Sequence, residues 1–338
     1  MNLTTIGIDL AKSVFQLHGV DDQGQVKLCK TLSRGQMLRF FANLDPCLIG
    51  MEVCGSAHHW ARQLQGFGHN VKLISPQFVT PYRKGNKTDG NDAMAICEAV
   101  TRSDMRFVPI KTTEQQALLM VHRIRERVKS ERTALINQVR GLLAEFGLIM
   151  PQGAGALRRH LPGILEDAEN DLPALARELF ANLYQQLDFI DTQLQGYDTQ
   201  INAWAKNDAV CQRLLALEGI GPLTATALVA TVGDATVFKN GRQFAAWLGL
   251  TPREHSSGGK YKRFGISKRG DSYLRKLLVH GARSMLRLTP KRSDKKSRWV
   301  ELLRTRHHDN VAACALAAKH ARIIWALMAK ATNYQLAQ

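Results

Sequence analysis

The chain opens with short apolar runs punctuated by turn residues. Thr4-Thr5-Ile6-Gly7-Ile8-Asp9-Leu10-Ala11, Val14 to Val20 and Val26 to Leu32 each have strand length, and Asp21-Asp22-Gln23-Gly24 supplies a tight turn before the third. Three such runs predict an antiparallel opening sheet. Gln36 to Leu44 then takes helical spacing, Cys47-Leu48-Ile49-Gly50-Met51-Glu52-Val53 is an apolar strand with one acid near its end, and His58 to Phe67 is again helical. Asn70 to Ser75 adds a strand that Pro76 closes. The alternation predicts a mixed sheet with helices packed on it.

From Thr113 to Phe146 the period is helical, with Leu118, Val121, Ile124, Val128, Leu135, Val139, Leu142 and Phe146 forming an apolar stripe among many arginines. Gly147 to Pro162, holding Pro151, Gly153 and Gly155, reads as a linker. Beyond it Leu183, Leu187, Ile190, Leu194, Tyr197, Ile201 and Trp204 alternate steps of four and three, a heptad seam that predicts a self-associating helical arm. Spacing alone leaves a second chain and the Thr113 to Phe146 helix both open as its partner. Glu218-Gly219-Ile220-Gly221-Pro222 joins two short helices as in a helix-hairpin-helix, whose second helix opens at Pro222 and can present backbone N–H groups of Gly219, Gly221 and Thr224 to a phosphate. A G-x-G turn by itself is a weak signal. Thr251 to Lys260 reads as a loop, and Asp271 to Leu288 and Asn310 to Ala331 as closing helices. The expected organisation is therefore residues 1–150, an α/β domain; 151–208, a linker and coiled-coil arm; and 209–338, a mainly α domain.

Charge sharpens this picture. Lys and Arg number 46 against 29 Asp and Glu, a formal +17, which predicts a polyanionic partner, nucleic acid first. Between Thr251 and Arg306 alone there are 17 basic and four acidic residues, so most of the excess is a footprint. The six cysteines show no C-x-x-C spacing, and no apolar run reaches membrane-spanning length, so a zinc site, a disulfide framework and a membrane partner are not expected. A soluble intracellular protein is.

The chemistry lies in the acids. In Lys87-Thr88-Asp89-Gly90-Asn91-Asp92-Ala93 two carboxylates three residues apart open a helix and share a face. At about 4 Å such charges repel by roughly 4 kcal/mol at a surface-like dielectric. A helix dipole offsets under about 1 kcal/mol. A divalent cation with hard oxygen ligands offsets more. An isolated pair of this kind is more often a solvated cap, but Asp9 on the first strand and Glu52 on a later one accompany it. Acids on neighbouring strand centres plus a helix-borne acid are how an RNase H-like core builds a two-metal nuclease site. The rival reading of Ile6-Gly7-Ile8-Asp9 as an actin-like phosphate loop lacks the glycine that should follow the acid, and no Walker motif occurs. In the basic region, Ser256-Ser257-Gly258-Gly259 stands among Arg253, Lys260, Lys262, Arg263, Lys268 and Arg269, cations that can neutralise a phosphate under attack by a serine.

Ile6-Gly7-Ile8-Asp9, Gly50-Met51-Glu52 and Lys87-Thr88-Asp89-x-x-Asp92-Ala93, in this order, resemble the DEDD motif of the insertion sequence 110 transposases. The resemblance continues through Gly219-Ile220-Gly221-Pro222, Leu248-Gly249-Leu250-Thr251-Pro252-Arg253, Ser257-Gly258 and Ser267-Lys268-Arg269-Gly270-Asp271 with Leu274-Arg275, and His255 to Lys260 is most similar to the 1111 subgroup. It implies a RuvC-like N-terminal domain in which Asp9, Glu52, Asp89 and Asp92 hold Mg²⁺, with Mn²⁺ able to substitute. It implies a C-terminal transposase domain whose Ser257 attacks DNA to give a phosphoserine intermediate. It further implies donor and target duplex DNA as substrates, a structured non-coding guide RNA from the element, a homo-oligomer from dimer to tetramer with composite sites, and a bacterial, nucleoid-associated location. The doubled serine departs from the pattern, and the Ser-Gly match favours Ser257 over Ser256. Two other readings fit the same residues: a metal-dependent nuclease of the Holliday-junction type that uses water, and a non-catalytic nucleic-acid-binding protein.

Overall fold

The computed structural model describes residues 3–335 and divides into two compact units. The first runs to Thr113 and takes in Val232–Val237; the second comprises Glu114–Thr231 and the chain from Phe238 onward.

The first unit is built on a six-stranded mixed sheet. Its strands are β1 (Thr5–Leu10), β2 (Val14–Val20), β3 (Val26–Ser33), β4 (Leu48–Glu52), β5 (Asn70–Ile74) and β6 (Phe107–Val108), in the spatial order β3-β2-β1-β4-β5-β6. The predicted opening meander is present: β1 pairs antiparallel with β2, and β2 with β3. β4 and β5 then add parallel strands beside β1, and β6 closes the edge antiparallel to β5. Central strands buried on both sides need apolar residues at every position. Accordingly Ile6, Ile8, Ile49, Met51, Leu73 and Ile74 are all solvent-inaccessible. The helices are α1 (Met37–Ala42), α2 (Ala57–Gly66), α3 (Pro76–Val79) and α4 (Asp89–Val100). Trp60 of α2 meets Phe15 of β2 edge to face, their ring centroids 5.1 Å apart.

In the second unit α5 (Thr113–Glu145), α6 (Ala154–Glu166) and α7 (Ala174–Asn207) share one apolar cluster containing Val128, Leu135, Val139, Leu157, Leu161, Leu187 and Ile190. The linker expected from Gly147 to Pro162 is therefore helical from Ala154, because burial of Ala156, Leu157 and Leu161 outweighs Pro162 inside the helix. The heptad seam also finds its partner within the chain. Arg125 meets Asp198 at 2.7 Å, Arg132 pairs with Asp191, and Phe146 packs on Phe180. These pairings run in opposite directions along the two helices, so α5 and α7 are antiparallel.

After α8 (Ala209–Leu215), α9 (Pro222–Val232) and α10 (Gly241–Trp247), the stretch expected as a loop forms an antiparallel hairpin of β7 (Pro252–Ser257) and β8 (Lys260–Ile266). Then come α11 (Ser272–Leu286), α12 (Lys295–Arg304) and α13 (Asp309–Ala329). Among the described residues α13 is the one helix long and apolar enough to cross a membrane, contrary to the expectation that no run would be. Its Ala312, Leu316, Ala317, Ala321 and Ile324 are instead solvent-inaccessible, packed in the core that it shares with α10 and α11.

Candidate active site

Register brings the first two acids together. In the parallel β1/β4 pair Gly7 lies opposite Gly50 and Ile8 opposite Met51, so Asp9 and Glu52 stand one residue beyond, at adjacent strand ends. Alternation puts Gly7 and Asp9 on one face of the sheet, and Gly50 and Glu52 likewise. The glycines decide what covers that face. A Cβ on Gly7 would sit 2.2 Å from the Ala93 carbonyl oxygen and 2.4 Å from the Cys97 amide; one on Gly50 would sit 2.8 Å from Val100 Cβ. Only glycine lets α4 lie this close. The first turn of α4, with Asp89 and Asp92, is thereby delivered towards the two strand acids. Thr88 caps the helix, its hydroxyl accepting from the Asn91 amide at 3.2 Å.

The acids are close enough to perturb one another. Asp9 is held above the ordinary carboxylate range by burial, then by the charges of Asp89 and Asp92, with Lys87 opposing. Glu52 is raised by burial, then by Asp9 and Asp92, with Lys87 and Arg83 opposing. Arg83 Nη1 donates to Asp92 Oδ1 at 3.2 Å. All four donors are hard oxygens whose mutual repulsion a divalent cation would relieve, so the set suits Mg²⁺ in kind. Among the described residues no three His, Cys, Asp or Glu side chains close tightly enough to hold an ion unaided. Arg83 carried no expectation from the sequence, and Lys87 entered only as the first residue of the acid motif. The signal was the basic run Arg83-Lys84-Gly85-Asn86-Lys87 immediately before the acids.

In the second unit the hairpin separates the two serines. Gly258 and Gly259 form its turn with φ of 56° and 76°, the left-handed pair that a two-residue type I′ turn requires. Ser257 pairs with Lys260, Ser256 with Tyr261 and His255 with Lys262. Cross-strand partners share a face and neighbours alternate, so Ser257 lies with His255, Lys260 and Lys262, while Ser256 lies with Glu254, Tyr261 and Arg263, the partner of Glu254. Phe264 extends the first face: the Arg253 guanidinium stacks over its ring at 5.1 Å and Lys262 at 5.4 Å, with His255 edge-on at 5.6 Å. Ser256 Oγ donates to Glu254 Oε1 at 2.7 Å. Ser257 Oγ has no hydrogen-bond partner among the described residues, and every residue of β7 is exposed.

The base of the hairpin is clamped. Ser267 N donates to Thr251 O at 2.8 Å and Lys268 N to Gly249 O at 3.1 Å. Gly249 and Gly270 both have positive φ, and a Cβ on either would strike backbone oxygen, of Arg269 at 2.2 Å and of Trp247 at 1.9 Å. Arg275 Nη1 ties both strands' approaches by donating to Leu248 O at 3.1 Å and Arg269 O at 2.7 Å. Arg263, Lys268 and Arg269 are exposed around it. In the turn between α8 and α9, Gly219 has φ of 82° and packs directly on Gly281 of α11; Gly221 is exposed, whereas the Thr224 side chain is buried.

A model of the IS110-type DEDD transposase domain matches residues 6–147, and a model of the IS116/IS110/IS902 transposase family matches residues 211–297. The chain is 52% identical over 336 residues to a probable family 20 transposase of Pseudomonas aeruginosa, with 99% of each chain covered. It is 44% identical to the transposase for insertion sequence element IS1111A of Coxiella burnetii, over 99% of this chain and 92% of that one. To the transposase for IS1328 of Yersinia enterocolitica it is 42% identical, over 98% and 99%. The chain belongs to the IS110/IS116/IS902 family of transposases, enzymes that cut and rejoin DNA.

Proposed function

We propose that this transposase mobilises its insertion sequence through a covalent phosphoserine at Ser257, with Mg²⁺ held by Asp9, Glu52, Asp89 and Asp92. Sequence choice is left to a structured RNA of the element, an expectation that rests on the family resemblance and that the excess of positive charge accommodates. The observation that carries the reading is the sorting of the two serines. Ser257 is unpartnered on the face holding Arg253, His255, Lys260 and Lys262, whereas Ser256 is engaged by Glu254 on the other.

In the proposed step the Ser257 hydroxyl gives up its proton and its oxygen bonds to phosphorus, while the bond to one DNA sugar oxygen breaks and that oxygen leaves to be protonated. The phosphoserine keeps the bond energy that rejoining needs. Arg253, Lys260 and Lys262 place positive charge on the face where the pentacoordinate phosphate gains negative charge. When bound, Mg²⁺ supplies the charge that lets four neighbouring carboxylates stay ionised and polarises the phosphate. Arg83 orients Asp92, Lys87 moderates the field around Asp9, and both moderate it around Glu52.

The strand order, with an antiparallel meander followed by parallel β4 and β5, supports the RuvC-like reading of the first unit. The glycine turn between α8 and α9 supports a helix-hairpin-helix in which Gly219 and Gly221 meet backbone phosphates of duplex DNA. Exposed Leu175, Leu179 and Phe189 on α7 support self-association of the helical arm in a dimer or tetramer. The site of action in this reading is the bacterial nucleoid.

The test is denaturing-gel analysis of end-labelled donor DNA incubated with the protein, its flanking RNA and Mg²⁺. A protease-sensitive protein–DNA adduct is expected, reduced by about a thousandfold or more in Ser257→Ala and Asp9→Asn and retained in Ser256→Ala. Free cleaved ends made equally well by Ser257→Ala would mean that water is the nucleophile and that the serine assignment is wrong.

A further inference from the structure

The C-terminal half of α11 carries a second basic feature that the proposed chemistry does not use. His280, Arg283, Ser284 and Arg287 fall at positions i, i+3, i+4 and i+7, and so share one exposed face. With Arg304 and the first residues of α13 they line a cleft of about 480 Å³. That volume suits a ligand of nucleotide size.

The charges of the cleft are unequally satisfied. Arg304 is consumed by acids: its Nε and Nη2 donate to the two Asp309 oxygens at 2.9 and 3.2 Å, and its Nη1 to Glu301 at 3.1 Å. Asp309 is therefore not available to the other arginines. Arg283 Nη2 donates to Asn310 Oδ1 at 2.8 Å, a neutral acceptor that aims the guanidinium without discharging it. The Arg287 and His280 side chains have no partner among the described residues. Two guanidiniums one helical turn apart repel, and the Arg304 cluster, with two carboxylates to one guanidinium, offsets this only in part and leaves the cleft net positive. Ser284 lies between them, its hydroxyl donating back to the His280 carbonyl at 3.3 Å. Two guanidinium forks one turn apart and a residual positive charge are what a phosphodiester recognises.

We infer that this cleft grips the backbone of a nucleic-acid strand, as an anchor separate from the hairpin. The inference rests on the reading of this unit as nucleic-acid-binding. At about 1.5 Å per residue, the helix from Asp271 at the base of the hairpin to Arg287 spans roughly 24 Å, about seven base-pair steps at 3.4 Å. The anchor is thus set for a strand that continues beyond the site of cleavage.

Salt dependence of binding tests this without catalysis. Ser257→Ala protein is titrated by fluorescence anisotropy against two labelled probes of about 30 nucleotides, one a DNA duplex and one single-stranded RNA, at several salt concentrations. Adding Arg287→Ala is expected to reduce the slope of log K against log salt by about 0.9 on the duplex, or about 0.7 on the single strand, and the Arg283→Ala/Arg287→Ala pair by about twice that. Arg287→Lys is expected to keep the slope. The probe whose slope falls identifies the strand that occupies the cleft. Arg287 is exposed and unpaired, so its removal leaves the thermal midpoint unchanged. Unchanged slopes on both probes, with a lowered slope in Lys260→Ala/Lys262→Ala, would overturn the anchor and leave the hairpin reading standing. No binding of either probe by the parent protein would overturn both.

Discussion

The two units hold their reactive groups in opposite ways. The acids of the first unit stand on buried strands beneath a helix, and their places are dictated by backbone contacts at Gly7 and Gly50. The serine of the second stands on a two-stranded ribbon whose first strand is wholly exposed, with its order supplied at the base by Gly249, Gly270 and Arg275. A two-stranded ribbon is marginal in water on its own. The contrast follows from what each group must withstand. Clustered carboxylates that raise the proton affinity of Asp9 and Glu52 need a rigid frame to stay together, whereas a lone hydroxyl repels nothing and needs access to its phosphate.

The sharpest way to break this comparison is Gly7→Ala. The new methyl collides with the backbone of α4 and with Cys97 Cβ, none of which is the flexible end of a side chain, so α4 must shift, destabilising the protein by about 2–4 kcal/mol in a denaturant titration. Asp89 and Asp92 move with it. Adduct formation should therefore fall further than the loss of folded protein explains, and unchanged activity in the folded fraction would show that the glycine face does not position the acids.

Acid separates the units by sign. His122 is buried, with Nδ1 3.1 Å from Tyr273 Oη and Nε2 3.0 Å from Thr226 Oγ1, and burial lowers its pKa from 6.5 to about 4. His320, solvent-inaccessible with neither ring nitrogen hydrogen-bonded, is lowered by burial to about 4 as well. A depressed imidazole contributes stability that is present above the unfolded pKa and lost as pH falls from about 6.5 towards 4, up to about 3 kcal/mol for a buried group with such a shift. Asp9 and Glu52 do the reverse, because a raised carboxylate favours the folded state at low pH and gives up that contribution as pH rises through its folded pKa. Between pH 6.5 and 4 hydrogen exchange should thus accelerate in α5, α9 and α13 before it does in β1 and β4. Acceleration in the opposite order would contradict the assignment of the buried imidazoles.

The smallest effect is expected at the tip of the hairpin. Gly258 has open space around its Cβ position but φ of 56°, so Gly258→Ala costs about 1 kcal/mol of local strain and no packing. Thermal unfolding should barely move. Adduct formation should drop several-fold if the turn sets the direction of Ser257, and an unaltered adduct yield would mean that bound DNA alone orders the ribbon.

Much of the first unit was legible along the chain. Apolar runs of strand length, the Asp21 to Gly24 turn and the helical spacing before Val100 depend on neighbours in sequence, and the four acids announced themselves by standing where apolar residues or loops were due. Sequence by itself also determined the charge footprint, the glycine turn at Gly219 and the heptad seam from Leu183 to Trp204 that lies on α7. Other features depended on packing between distant segments. That Glu52 lies beside Asp9 follows from a parallel register summed over the whole strand pair. That the heptad seam folds back on α5 was decided by which apolar stripe lies nearest, and that residues 154–166 are helical despite Pro162 by the cluster they complete. The hairpin was hidden for a related reason: its strands have no buried side, so no apolar alternation marks them, and only Gly258-Gly259 betrayed the turn. Local pattern fixes the elements and the residue types, and the hairpin alternation sets which of two adjacent serines lies with Arg253, Lys260 and Lys262; which face meets which is a long-range sum, and here that sum decides where each acid stands.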